Sequence, residues 1–102
     1  MDMSALMKQA QQFQERLHKM QEELGAKTVT GSAGGGMVTV TVNGRSELLS
    51  ISLEQGIVSP DDVQLLQDLI VAAVNDALRK AKKLGQGELG KLTGGMQIPG
   101  LF

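Results

Sequence analysis

The chain reads as an α+β protein, an α-β-β-β-α two-layer domain in which two long helices accompany a three-stranded antiparallel sheet. Three observations predict this. A 3-4 apolar repeat runs unbroken over residues 3–24, a second and broader one runs over 63–84, and the stretch between them alternates Val with Thr and then Leu or Ile with Ser.

The first helix is carried by Met3, Leu6, Ala10, Phe13, Leu17, Met20 and Leu24, with Gln, Glu, Lys and Arg, all good helix formers, at the positions between. Gly25 is placed to close it, as a glycine just past a helix end commonly does. A seam of three heptads serves a coiled coil or an ordinary core-facing helix. Leu6, Phe13, Leu17 and Met20 are accordingly expected in a dimer interface or the core.

The strands follow. Thr28-Val29-Thr30 alternates until Ser32-Ala33-Gly34-Gly35-Gly36 breaks the chain. From Met37 to Val42, Val38, Val40 and Val42 fall on one face and Thr39 and Thr41 on the other. Asn43-Gly44 signals a tight hairpin turn. Arg45 to Leu53 then returns with Leu49, Ile51 and Leu53 on one face and Ser50 and Ser52 on the other. One apolar and one hydroxyl-bearing face describe a sheet covered on one side, and a local meander is the economical topology.

The second helix is expected to start at Ser59-Pro60-Asp61-Asp62: serine caps, proline suits the first helical position, and acids favour the positive helix end. Val63, Leu66, Ile70, Ala73, Ala77, Ala81 and Leu84 form its stripe, widened by Leu65, Leu69, Val74 and Leu78. Arg79, Lys80, Lys82 and Lys83 crowd the last turns, where cations are favoured, and Gly85 is expected to end the helix. This sets one domain over 1–84 and a flexible, glycine-rich tail over 85–102.

Helices of about 33 and 37 Å overhang strands of roughly 20–23 Å, so their apolar stripes continue where the sheet stops. Uncovered apolar surface on that scale marks an interface, and a two-fold homodimer is the commonest solution.

Composition narrows the function. A chain of 102 residues, 41% hydrophobic and 21% charged, is a single globular domain. Phe13 and Phe102 are the sole aromatics, so the core is aliphatic with methionine filling gaps. Without cysteine there is no disulfide, thiolate chemistry or zinc–thiolate site, which fits a reducing compartment. Asp2 follows the first residue and no apolar run approaches the ~20 residues of a membrane span, so a soluble, cytoplasmic chain without a signal peptide or membrane partner is expected.

The net charge of −1 hides an asymmetry: residues 1–78 hold five basic and ten acidic side chains, residues 79–102 five basic and one acidic. A phosphate feels the local patch rather than the average. Arg79, Lys80, Lys82 and Lys83 are therefore candidate phosphate contacts, or else a solvated helix end stabilised by the macrodipole. Lys8, Arg16 and Lys19 share one side of the first helix with Gln12 and are further candidates for DNA contact, but Glu15 and Glu23 intrude there, which favours a plain solvated face.

Nothing resembles an enzyme's active site, and no metal, cofactor or small-molecule substrate is expected. The glycine run at 31–36 lacks the Lys-Ser/Thr of a phosphate loop and lies between strands. His18 is the sole histidine and has no catalytic or ligand set beside it, while Asp61 and Asp62 explain themselves as helix-start residues. No helix-turn-helix or aromatic stacking platform is evident.

Four segments carry a family resemblance: Met7-Lys8-Gln9-Ala10-Gln11-Gln12, Gly34-Gly35-Gly36-Met37-Val38-Thr39-Val40-Thr41-Val42-Asn43-Gly44, Asp68-Leu69-Ile70-Val71-Ala72-Ala73-Val74-Asn75-Asp76-Ala77, and Gly95-Met96-Gln97-Ile98-Pro99-Gly100. Together they resemble the YbaB/EbfC family from about residue 4 onward. The resemblance implies a bacterial nucleoid-associated protein, a tweezer-shaped homodimer that binds double-stranded DNA, with the same α-β-β-β-α fold. It supplies no sharply defined set of DNA-contacting residues. Two classes of function are thus in play: a DNA-binding dimer of the nucleoid holding phosphates through lysine and arginine, with a role in gene regulation or nucleoid organisation, and a non-enzymatic scaffolding dimer whose acidity keeps it off DNA.

Overall fold

Val38, Val40 and Val42 are fully buried, and they mark the centre of the molecule. The computed structural model describes residues 2–94. Along the chain run α1 (Met3–Ala26), β1 (Thr28–Ala33), β2 (Val38–Asn43), β3 (Leu48–Leu53), a short 3-10 turn at Gln55–Ile57, and α2 (Val63–Leu92). This is the expected α+β arrangement of two long helices and a three-stranded antiparallel sheet. Strand order is β1-β2-β3, so the valine-rich strand lies in the middle.

The three valines pack against Ala73, Ala77 and Ala81 of α2. Small residues bring the layers unusually close. Gly31, opposite Val40 on β1, lies so near α2 that a Cβ there would sit 2.5 Å from the Ala73 carbonyl oxygen and closer still to the Ala77 backbone nitrogen. Only glycine fits such an approach.

The strand–turn expectations need correction. β1 continues to Ala33, and the break is confined to Gly34–Gly36, all three with left-handed φ. Asn43-Gly44 is not the centre of a two-residue hairpin: Asn43 ends β2, and the positive φ of 63° falls on Ser46. The asparagine's side chain builds a longer loop. Its Oδ1 accepts from the backbone N–H groups of Arg45 and Glu47 at 3.0 Å each, and its Nδ2 donates to Glu47 Oε1 at 2.9 Å. Gly44 N–H donates at 2.9 Å to the carbonyls of both Leu24 and Lys27, which fastens the loop to the end of α1. A bulge at Thr41/Val42 makes Leu49 the extra residue and places Leu48 opposite Val42, so Leu48 joins Ile51 and Leu53 on the face of the valines.

Both helices also end differently from expectation. Gly25 lies in the last turn of α1, and Lys27 is the C-cap. Asp62, rather than Ser59, caps α2 by accepting from Leu65 N–H at 3.1 Å, and Ser59 and Pro60 form a turn ahead of it. The helix does not stop at Gly85 but runs to Leu92, with Gly94 just beyond it at φ 68°. Gly85 and Leu89 are buried beside α1, and this packing outweighs the roughly 1 kcal/mol that each interior glycine costs. The division at residue 84 therefore falls inside a helix; residues 95–102 of the expected tail lie outside the described residues.

The molecule is elongated, 70 × 23 × 17 Å. Leu17, Met20 and Leu24 share a groove with Leu78, Ala81 and Leu89, and Arg16 lies beside Lys91 and Leu92. The helices are thus antiparallel, and the N-terminal half of α1 projects past the end of α2.

Candidate nucleic-acid interface

The seam between α1 and the C-terminal half of α2 gathers half of the chain's cations, Arg16, Lys19, Arg45, Lys82 and Lys91. Two adjoining grooves, sharing Met20, run along it. The larger, of about 710 Å³, has a floor of Leu17, Met20, Leu24, Leu78 and Leu89, with Lys82 and Arg45 at its edge. The smaller, of about 290 Å³, is lined by Arg16, Lys19 and Lys91 together with Glu23 and Glu88. The amphipathic periods of the two helices explain the placement: their apolar stripes face each other, and the long charged side chains flank the contact.

The structure divides the basic cluster of α2. Lys80 Nζ donates to the Thr30 carbonyl of β1 at 3.0 Å and lies 3.3 Å from Asp76. Arg79 lies 3.6 Å from the same carboxylate. Asp76 also accepts from Ser32 N–H at 3.1 Å. That backbone hydrogen bond, then the Lys80 contact and the charges of Lys80 and Arg79, hold the Asp76 carboxyl below the ordinary aspartate value. Lys82 and Lys83, one turn on, make no ion pair among the described residues; neither do Lys8, Arg16 and Lys19 of α1. Five of the seven candidate cations are thus without an ion pair among the described residues.

A second carboxylate organises the far end of the seam. Glu88 accepts from Lys27 Nζ at 2.8 Å and lies 3.6 Å from Lys91. The Lys27 hydrogen bond, with the charges of Lys27 and Lys91, holds Glu88 below the ordinary glutamate value.

Arg45 and Lys91 had not been singled out from the sequence. Arg45 falls in the stretch expected to open the third strand but lies in the turn ahead of β3, which starts at Leu48, and Lys91 falls in the segment read as tail. The neutralising role of Asp76 was half visible, since its spacings to Arg79 and Lys80 are those of helical ion pairs. Leu17 and Met20 face α2 within the chain, while Leu6 and Phe13 remain exposed on the projecting part of α1. His18 pairs with Glu22 at 2.8 Å on the open surface of α1. Among the described residues no group of His, Cys, Asp or Glu could hold a metal ion, and no helix is long and apolar enough to cross a membrane.

Residues 1–96 match the YbaB/EbfC DNA-binding family. A protein of Syntrophobacter fumaroxidans named a nucleoid-associated protein is 55% identical over 95 residues, covering 93% of this chain and 86% of its own. Another so named, from Desulfotalea psychrophila, is 52% identical over 101 residues, covering 99% and 95%. Among solved structures, an uncharacterized protein from Helicobacter pylori superposes with a TM-score of 0.82 at 22% identity, covering 91% of this chain and 98% of that one. At that identity the likeness speaks for the fold alone.

Proposed function

The chain belongs to the YbaB/EbfC DNA-binding family, and from that premise we propose that it is a non-enzymatic homodimer that holds double-stranded DNA in the nucleoid chiefly through its phosphates. Its role is nucleoid organisation or gene regulation. The observation that carries this reading is the set of cations that make no ion pair among the described residues, Lys8, Arg16, Lys19, Lys82 and Lys83, displayed on two helices of an elongated molecule. Long, flexible cations of this kind read charge and spacing rather than base edges, so little sequence preference is expected.

Dimerisation is supported by apolar surface left open beside the core. Leu48, Ile51 and Leu53 share the face of the buried valines, yet they are 53%, 42% and 36% exposed because α2 packs on β1 and β2. Val58 and Val63 extend the open patch. A second copy applied there would complete the layer over β3 and carry a duplicate set of cations.

Duplex binding measured at two salt concentrations tests the proposal. With about six phosphate contacts per dimer, log affinity falls against log salt with a slope near −5. The net charge of −1 and the presence of Glu23 and Glu88 in the seam favour a scaffold that avoids DNA. Absence of duplex binding even at low salt would establish that second reading.

A further inference from the structure

Gly25 stands in the last turn of α1 without closing it, since the helix runs on to Ala26 and Lys27 caps it. A glycine there is less favourable to the helix than alanine. What the missing side chain leaves room for is Arg45: a Cβ on Gly25 would lie 3.2 Å from the arginine's Cδ and 3.8 Å from its Nη1. The stem of Arg45 thus lies across the last turn of α1, in the space that a side chain at 25 would fill.

The turn that carries Arg45 is held as closely. A Cβ on Gly44 would lie 2.7 Å from the Leu24 carbonyl oxygen and 2.9 Å from Leu24 Cδ2, so a glycine is required for the turn to dock on α1. Asn43 Oδ1 accepts from the Arg45 backbone N–H at 3.0 Å. The arginine is therefore fixed at both its backbone and its stem, while its guanidinium makes no hydrogen bond among the described residues. The one carboxylate oxygen within 4 Å of it there, Glu47 Oε1, is 3.9 Å from Nε and already accepts from Asn43 Nδ2 at 2.9 Å. The two Nη groups are left to meet an anion.

A cation near the end of α1 complements the helix dipole, and α1 has no basic residue in its last turn. A lysine on the helix itself would serve that purpose without the glycine. Arg45 instead lines the same groove as Lys82 of α2, and no acidic residue lines that groove among the described residues. A planar guanidinium grips phosphate oxygens in pairs, and one that is held in place beforehand loses less freedom in doing so.

We propose that Arg45 is a phosphate contact, gripping the DNA backbone beside Lys82 at the sheet end of the seam, and that Gly25 is the positioning residue that keeps its stem against α1. This rests on the DNA reading above and deepens it, adding the turn between β2 and β3 to the two helices as a third contacting element.

Duplex binding by the full chain, followed over a salt series, tests the assignment alongside thermal unfolding. Arg45→Gln should weaken binding to unrelated duplexes alike, by about tenfold at moderate salt, and flatten the log–log slope by about 0.9 for each chain that touches DNA. Its thermal midpoint should hardly move. Arg45→Lys should restore the slope but not the whole affinity. Gly25→Gln improves the helix and should keep or raise the thermal midpoint, yet lower affinity severalfold by driving Arg45 from its place. Added to Arg45→Gln it should bring no further loss. Unchanged affinity and slope in Arg45→Gln, with the wild type binding duplex, would overturn the assignment and leave the DNA reading standing. Additive losses in the double variant would overturn the role of Gly25. Absence of duplex binding by the wild type at low salt would overturn both the assignment and the reading beneath it.

Discussion

Lys80 spans two layers of the molecule, lying 3.3 Å from Asp76 on its own helix and donating to the Thr30 carbonyl of β1 at 3.0 Å. A cation held in this way is a structural clamp first, and its neighbours Lys82 and Lys83 are better placed to meet a phosphate.

The two halves of the basic cluster should therefore separate by experiment. Lys82→Gln with Lys83→Gln should weaken binding to every duplex by about tenfold or more at moderate salt and flatten the salt slope. Glutamine keeps the helix. Arg79→Gln with Lys80→Gln should change DNA affinity less and lower the urea midpoint more. Fluorescence anisotropy and denaturant melts on both double variants provide the comparison, and the reverse ranking would reject this division of labour.

Acid should loosen the same clamp. Asp76 and Glu88 both have carboxyls held below their ordinary values by folded-state partners. A depressed carboxylate stabilises the fold at pH values above its unfolded pKa, and that contribution is lost as pH falls through the folded one. Stability should thus be flat near neutrality and decline as the pH drops through and below the ordinary carboxylate range. The Asp76→Asn variant should start less stable and show a shallower decline, as measured by urea unfolding across a pH series.

Gly31 is expected to tolerate no side chain. Alanine there would collide with the backbone of α2 at Ala73 and Ala77, where no rotamer can yield. Gly31→Ala should cost about 3 kcal/mol or prevent folding. Gly35→Ala, in open space but at a φ of 67°, should cost only about 1–2 kcal/mol. Denaturation midpoints of the pair distinguish the steric cause from the conformational one.

The open face of β3 gives a test of assembly. Ile51→Asp with Leu53→Asp alters groups that are exposed in the single chain and should yield a folded monomer by light scattering and circular dichroism. Leu17→Glu with Met20→Glu alters groups that face α2 and should unfold the seam instead. A β3 variant that remains dimeric would place the interface elsewhere.

Periodicity made the elements and the buried face of β2 legible, because Val38, Val40 and Val42 obey a period of two and Ala73, Ala77 and Ala81 a helical one. Local rules failed where tertiary contacts overrode them. Gly85 looks like a terminator in isolation, yet α1 lies against it and the helix continues. Asn43-Gly44 looks like a two-residue turn, yet the pull of Gly44 toward the end of α1 and the four-atom reach of the asparagine side chain enlarge it. At the candidate site, the positive end of α2 was visible as composition. The loss of Arg79 and Lys80 to Asp76 was visible only as spacing, and the share of β1 in that clamp not at all, since Ser32 and Thr30 arrive from 44 and 50 residues away.

The unbroken run of α2 from beneath the sheet to the side of α1 also gears the molecule. Its first half is keyed to β1 and β2 and its second half to the cationic seam, with no joint between them. One residue inserted between Ala81 and Gly85 would lengthen this shaft by only about 1.5 Å but rotate everything beyond it by about 100°. Four inserted residues would bring the phase back to within about 40°. The angular bearing of the arm relative to the sheet is thus set by a residue count.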